Sequence, residues 1–266
     1  MMPPRIGVFD SGVGGLTVLA ALHRQIPDTD FLYVADSANA PYGERPDEFI
    51  VERSRRITRF LIDQGAALVV VACNTATAAA IAVLRAEFKV PFVGIEPGVK
   101  PALRLSHSRR VGVMATPSTL RSAKFSALLR THAADAEVRL QPCPGLAEGI
   151  ERGWLDDPAL LRILEACCEP LRREGCDTVV LGCTHYPLLA PQIERLLGSD
   201  VRLLDTAQAV ARQAARLWGQ RIPQGAGTPA PAGQIQAWTN GDPVLLQRMA
   251  ALCGLGDLAV ARLADI

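Results

Sequence analysis

The stretches "GAALVVVACNT" (residues 65–75) and "GCDTVVLGCTH" (residues 175–185) are built alike: a glycine, a run rich in aliphatic and β-branched residues, then a cysteine followed by polar residues. A short apolar run bounded in this way predicts a strand buried on both faces, the kind found in parallel sheets. Cys73 and Cys183 then fall at the same place, a strand's carboxyl end.

Outward from these two stretches, similar strands alternate with longer Ala/Leu/Arg segments of helical period. "RIGVFD" precedes a helix from about residue 15, "DFLYVAD" one from about 46, and the strand ending at Cys73 one from about 76, before "FVGIEP". The rhythm resumes with "RVGVMAT" and a helix from about 118. "AEVRLQP" and a helical segment over 158–174 follow, then the strand ending at Cys183, a helix from about 190, and "VRLLD". This alternation predicts an α/β fold with mainly parallel sheets. "RIGVFDS" also lies loosely over "RVGVMAT", so the similarity recurs about a hundred residues apart, too long a period for a solenoid. The expectation is two pseudo-symmetric, doubly wound domains with the active site in the cleft between them. Residues 1–97 plus 208–266 would form the first and 98–207 the second. From 208 the chain reads as a helix, a Pro/Gly/Ala-rich surface loop around 222–233, a strand "QIQAWTNG" and a final helix.

Of the 266 residues, 49% are hydrophobic and 21% charged, and the net charge is +1: a globular composition with nothing basic enough to expect nucleic acid as a partner. Apolar runs fall far short of the ~18 residues that suggest a membrane span, and "MMPPRIGVFD" lacks the segments of a secretory signal. No membrane association and a cytoplasmic location are expected. Seven cysteines, without a C-x-x-C pair, fit reduced thiols better than disulfides or a zinc site, so no metal is expected. Only Lys89, Lys100 and Lys124 could form a Schiff base, which argues against pyridoxal phosphate; no cofactor is expected.

In open α/β sheets, ligands bind beyond the carboxyl ends of the strands. Two similar domains facing one another about a rough twofold axis would aim Cys73 and Cys183 at one cleft from opposite sides. Either cysteine alone reads as a small buried hydrophobe. Matched, they suit the inversion of a carbon centre, in which one group removes a proton from one face and the other delivers a proton to the opposite face. A thiol's ordinary pKa of about 8.5 means that one of the pair needs activation, with Asn74, Thr75, Thr184 and His185 as neighbouring donors. Cys143, Cys167, Cys168, Cys176 and Cys253 have no matched twin and are assigned to packing.

"VFDSGVGGLTVL" places Asp10 and Ser11 at the end of the first strand, before glycines that let the backbone approach a ligand and a helix start suited to a carboxylate. Thr17 stands where a dinucleotide fingerprint needs its third glycine, and there is no P-loop Lys-Ser/Thr. Asp10 could cap a helix or hold a substrate ammonium group. His185, two residues after Cys183, is the side chain most easily poised as acid or base near neutrality. Asp36, Tyr42 and Gly43 lie in a turn-rich loop, and Thr116 and Thr119 before a helix; alone, these are ordinary turn and cap residues.

Taken in order, "FDSGVGGLTVL", "DSANAPYG", "ACNTATA", "ATPSTLRS", "IERG" and "GCTHYPLL" resemble the cofactor-independent aspartate/glutamate racemases, and among them the glutamate racemases, over nearly the whole chain. The resemblance implies that Cys73 and Cys183 are the acid/base thiols interconverting L- and D-glutamate, with Asp10 and His185 assisting on opposite sides. It gives Asp36 and Glu151 secondary roles, with Glu148 a competitor for that of Glu151. Substrate would be held by Asp10, Ser11, Tyr42, Gly43, Asn74, Thr75, Thr184 and His185 and, by looser match, Thr116 and Thr119. It further implies a homodimer and D-glutamate destined for peptidoglycan. "PCPGLAEGIERG" and the loop near 222–233 depart from the family's commoner pattern. Two other functions stay open at this point: racemisation of aspartate or another amino acid, and inhibition of DNA gyrase by binding, an activity linked to some relatives that the balanced charge does not favour.

Overall fold

The computed structural model describes residues 4–133, 136–221 and 232–263. The Pro-rich stretch expected as a loop lies mostly outside them, at 222–231. β1 (Arg5–Asp10), β2 (Phe31–Ala35), β3 (Ala66–Val71) and β4 (Phe92–Gly94) are the first four strands; β5 (Arg110–Ala115), β6 (Glu137–Pro142), β7 (Thr178–Leu181) and β8 (Arg202–Leu204) are the next four. All pairings are parallel. The two sheets repeat one order. In the first, β2-β1-β3-β4 is extended beyond β2 by β9 (Ile235–Thr239) and β10 (Val260–Arg262); the second is β6-β5-β7-β8. The α/β class with two parallel sheets is therefore as the alternation predicts, and the two cysteine motifs occupy equivalent strands, β3 and β7.

The first sheet shows why its strands read as continuous apolar runs. Successive side chains point to opposite faces, and both faces are covered. Ile6, Val8, Phe31, Tyr33, Leu68 and Val70 pack on the side of α1 (Leu16–Gln25). Phe9, Leu32, Val34, Val69 and Val71 pack toward α2 (Asp47–Asp63) and α3 (Asn74–Glu87). α2 presents Ile50, Ile57 and Leu61 inward at helical spacing and opens with Asp47 and Glu48, whose charges suit a helix N-terminus. The cluster behind α1 continues into the second sheet through Met114, Val179, Leu181 and Cys183, so one apolar core joins the two sheets.

The glycines that open the two motifs do equivalent work. Gly65, just after α2, has φ +94, and Gly175, just after α8 (Pro158–Arg173), has φ +69. These left-handed conformations turn the chain from helix into strand.

Some elements differ from expectation. The helix expected from about 118 is two helices, α5 (Pro117–Arg121) and α6 (Ala123–His132), because Ser122 adopts an extended conformation and its hydroxyl caps the second by accepting from the Phe125 N–H at 3.1 Å. α4 (Val99–Leu105) and α7 (Leu146–Glu151) are additional short helices. α9 (Ala190–Leu197), α10 (Ala207–Gly219) and α11 (Pro243–Leu252) follow the expected rhythm, but β10 after α11 was not expected. Cys253 lies just past α11. Among the described residues, no helix is long and apolar enough to cross a membrane.

Candidate active site

Four strand ends supply the site. Asp10 closes β1, Thr116 follows β5, and Cys73 and Cys183 follow β3 and β7. Both thiols are buried.

Cys73 stands at the N-cap of α3, where its Sγ accepts from the Ala76 N–H at 3.4 Å and donates to Ser11 Oγ at 3.7 Å. A helix N-terminus ordinarily favours a thiolate. Here burial outweighs it, and with the Asp10 carboxylate nearby the Cys73 pKa is pushed up to about 12. Asp10 is itself fully buried; its Oδ1 accepts from the Gly12 N–H at 2.8 Å and its Oδ2 from the Thr184 hydroxyl at 3.1 Å. Burial raises its pKa to about 6, although His185 and these hydrogen bonds work in the opposite direction.

The Cys183 side is different. His185 Nδ1 lies 3.6 Å from Cys183 Sγ, and its Nε2 lies 2.5 Å from Glu151 Oε1. Burial alone would drive the imidazole toward neutrality, but the sulfur on one nitrogen and the carboxylate on the other hold its pKa well above the ordinary value. Glu151, at the end of α7, also accepts from the Val13 N–H at 2.6 Å, which ties the glycine-rich turn to the far side of the site. Glu148 instead pairs with Arg152 at the surface, away from this constellation.

One expectation about local chemistry needs correction. Thr75 and Thr184 do not donate to the thiols through their hydroxyls. Thr75 Oγ1 lies 3.1 Å from Thr116 Oγ1 and 3.2 Å from Thr119 Oγ1, forming a cluster of three hydroxyls, and the Thr184 hydroxyl is spent on Asp10. The helix N–H at Ala76 takes the donor role at Cys73 instead. The glycines after Ser11 also bring the backbone close to this chain's own side chains: a Cβ on Gly12 would lie 1.8 Å from Glu151 Oε1, and one on Gly14 2.5 Å from His185 Nδ1.

Asn74 is buried with its Oδ1 unpartnered. Gly43 abuts Thr116, and Tyr42, also buried, donates to Asp36 Oδ2 at 2.5 Å. Asp36 itself is enclosed by donors rather than directed at the thiols. Sequence reasoning missed Tyr33, whose hydroxyl donates to the Gly12 carbonyl at 2.7 Å beneath the glycine-rich turn. In "DFLYVAD" it has the pattern of any core strand residue, and nothing in its spacing marks it.

Residues 6–214 match the Asp/Glu/Hydantoin racemase family. The chain belongs to that family. The family assignment agrees with the relatives. The glutamate racemase of Pseudomonas entomophila (strain L48) is 51% identical over 245 residues, covering 92% of this chain and 91% of that protein. The structure of Escherichia coli glutamate racemase in complex with L-glutamate and the activator UDP-MurNAc-Ala superposes with a TM-score of 0.85 at 33% identity, covering 98% of this chain and 99% of that one. That of the Francisella tularensis enzyme in complex with D-glutamate gives a TM-score of 0.81 at 25% identity, covering 98% and 97%.

Proposed function

We propose that this racemase-family chain interconverts L- and D-glutamate by proton transfer between two thiols, without a cofactor, in the cytoplasm. The observation that carries the reading is the pair of buried thiols on equivalent strand ends, each backed by its own acid/base assembly: Asp10 and Ser11 near Cys73, His185 and Glu151 beside Cys183. One sulfur, as thiolate, takes the α-proton from one face of the substrate. The electron pair left on the α-carbon then takes a proton from the other sulfur on the opposite face, so the centre inverts and the thiols exchange protonation states. In the reverse direction their roles swap.

Asp10 is suited to hold the substrate ammonium group, since it is a buried carboxylate with few donors around it. The unpartnered Asn74 Oδ1 is a second acceptor available to it. Tyr42, Gly43 and the Thr75–Thr116–Thr119 hydroxyl cluster line the site for the carboxylates, together with Thr184 and His185. The charged His185 presents an Nδ1–H to the Cys183 sulfur and favours its thiolate, and Glu151 on Nε2 keeps the imidazole charged and oriented. The D-glutamate formed would serve peptidoglycan synthesis, and the working form would be a homodimer.

Incubation with L-glutamate in deuterated water, with no pyridoxal phosphate added, is expected to yield D-glutamate deuterated at the α-carbon. Cys73→Ser and Cys183→Ser should each lower racemisation by at least about 10³-fold, in the upper part of the range for removing a positioned acid or base. Racemisation that survives both substitutions, or a clear preference for aspartate in a parallel polarimetric assay, overturns the reading.

A further inference from the structure

Asp36 follows β2 and is completely buried, yet it has no spare acceptor capacity for a substrate. Arg53 in α2 grips it with both arms of its guanidinium, Nε to Oδ2 at 3.0 Å and Nη2 to Oδ1 at 2.7 Å. Tyr42 donates to Oδ2, while Asn39 Nδ2 at 3.0 Å and Asn240 Nδ2 at 2.6 Å donate to Oδ1. Five donors on a carboxylate with about four lone-pair sites saturate it. Its role therefore lies in what it holds.

Asn240, just past β9, grips the same loop twice, because its Oδ1 also accepts from the Ala38 N–H at 2.9 Å. Gly241 packs so tightly there that a Cβ would lie 2.7 Å from the Ser37 Cβ. From Asp36 the contacts run inward: through the Tyr42 hydroxyl to Gly43, where a Cβ would lie 2.8 Å from the Thr116 Cβ, and from Thr116 to the Thr75 and Thr119 hydroxyls. The Asp36 N–H donates to the Asp10 carbonyl at 3.1 Å, so the same hub is pinned to the end of β1, where Asp10 stands.

We infer that Arg53 and Asn240, acting through Asp36, are positioning residues that fix the Tyr42–Gly43 wall against the second sheet and so set affinity for the substrate. The inference rests on the racemase reading above. Neither residue touches the thiols or the His185–Glu151 pair, so substrate binding depends on them and proton transfer does not. A buried carboxylate that loses part of its guanidinium fork or its amide partner is left under-satisfied, and its remaining donors, the Tyr42 hydroxyl among them, must shift to compensate.

The test uses Arg53→Lys, which keeps the charge but breaks the fork, and Asn240→Ala, with wild type measured in parallel. In both variants KM for L-glutamate should rise about tenfold, while kcat stays within about twofold and its pH profile does not move. An unchanged KM, a fall in kcat at constant KM, or an activity loss matched by a loss of folded protein at constant KM overturns the inference. Backbone amide resonances of Tyr42 and Gly43 give a readout that needs no turnover: they should shift or broaden in both variants while those of Cys183 and His185 stay in place. A wild type inert toward glutamate defeats the functional reading alone, and undisturbed Tyr42 and Gly43 amides defeat this one.

Discussion

At the scale of single residues, competing effects are decided by magnitude. Cys73 has the position that ordinarily activates a thiol, yet burial and the neighbouring carboxylate outweigh the helix N-terminus and keep the proton on sulfur. The resting site is therefore unsymmetrical: a protonated thiol beside Asp10 on one side, and a sulfur against a charged imidazole on the other. Asp10 is held at a cost to stability. Its pKa rises from 3.8 to about 6 on folding, mainly through burial, so between these values the folded chain keeps a proton that the unfolded chain releases. The proton's contribution is complete below pH 3.8, falls through the window, and is gone above about pH 6. At neutral pH the buried charge then costs about 2–3 kcal/mol at one pKa unit per ~1.4 kcal/mol. Asp10→Asn keeps an acceptor for the Gly12 N–H, and the Thr184 hydroxyl can turn to accept from the new amide. Urea unfolding should show the variant more stable than wild type by about 1–2 kcal/mol at pH 8 and little changed at pH 4, with racemisation lost. Equal stability changes at the two pH values would remove burial of the charge as the cause.

At the scale of elements, the strands were legible because burial on both faces leaves a plain apolar run, and the two cysteines because their runs match. Signals carried by single caps were not. Ser122 breaks a helix that periodicity alone draws as continuous, and Cys73 caps α3 although cysteine is not among the usual capping residues. β10 is a three-residue strand with no alternation to find. Residues that reach the site by tertiary approach leave no local trace: Tyr33, Arg53 and Asn240 are examples, whereas Glu151 was distinguished from Glu148 only by resemblance, until geometry set Glu148 against Arg152. The glycine-rich turn was legible as a place of close approach, but what approaches it is His185 and Glu151. In Gly14→Ala the new methyl would lie 2.5 Å from His185 Nδ1 and 2.7 Å from Thr184 Oγ1. The imidazole must then move off the Cys183 sulfur, and kcat is expected to fall by about 10²-fold, as for a catalytic group displaced by about 1 Å. Gly219→Ala, whose added Cβ meets nothing within 4 Å, serves as the control with activity unchanged. Comparable kcat for the two variants would show that the turn does not position the imidazole.

At the scale of the molecule, the site exists only where elements of the two sheets meet. The Val13 N–H to Glu151, the Thr184 hydroxyl to Asp10, and Thr75 to Thr116 and Thr119 all bridge residues that belong with different sheets. The repeated strand order places similar chemistry on both sides, and the sequence similarity between the motifs anticipated this, but the bridging hydrogen bonds follow from docking and could not be read from either motif alone. On the proposed reading, a substrate gripped from both sides adds a further link between the sheets, and a site with a thiol for each face must accept either enantiomer. In Cys73→Ser, in which the proposed two-thiol transfer should be slowed by at least about 10³-fold, L-glutamate and D-glutamate at about 100 times their dissociation constants should each stabilise the folded state by about 2.7 kcal/mol. For a chain of this size that raises Tm by about 5–10 °C. Aspartate at the same concentrations should give a smaller shift, as the glutamate reading requires. Stabilisation by one enantiomer alone, measured by differential scanning calorimetry, would mean that the two thiols do not address opposite faces of a common substrate position, because a site indifferent to the hand of the α-carbon is what a two-sided proton transfer requires.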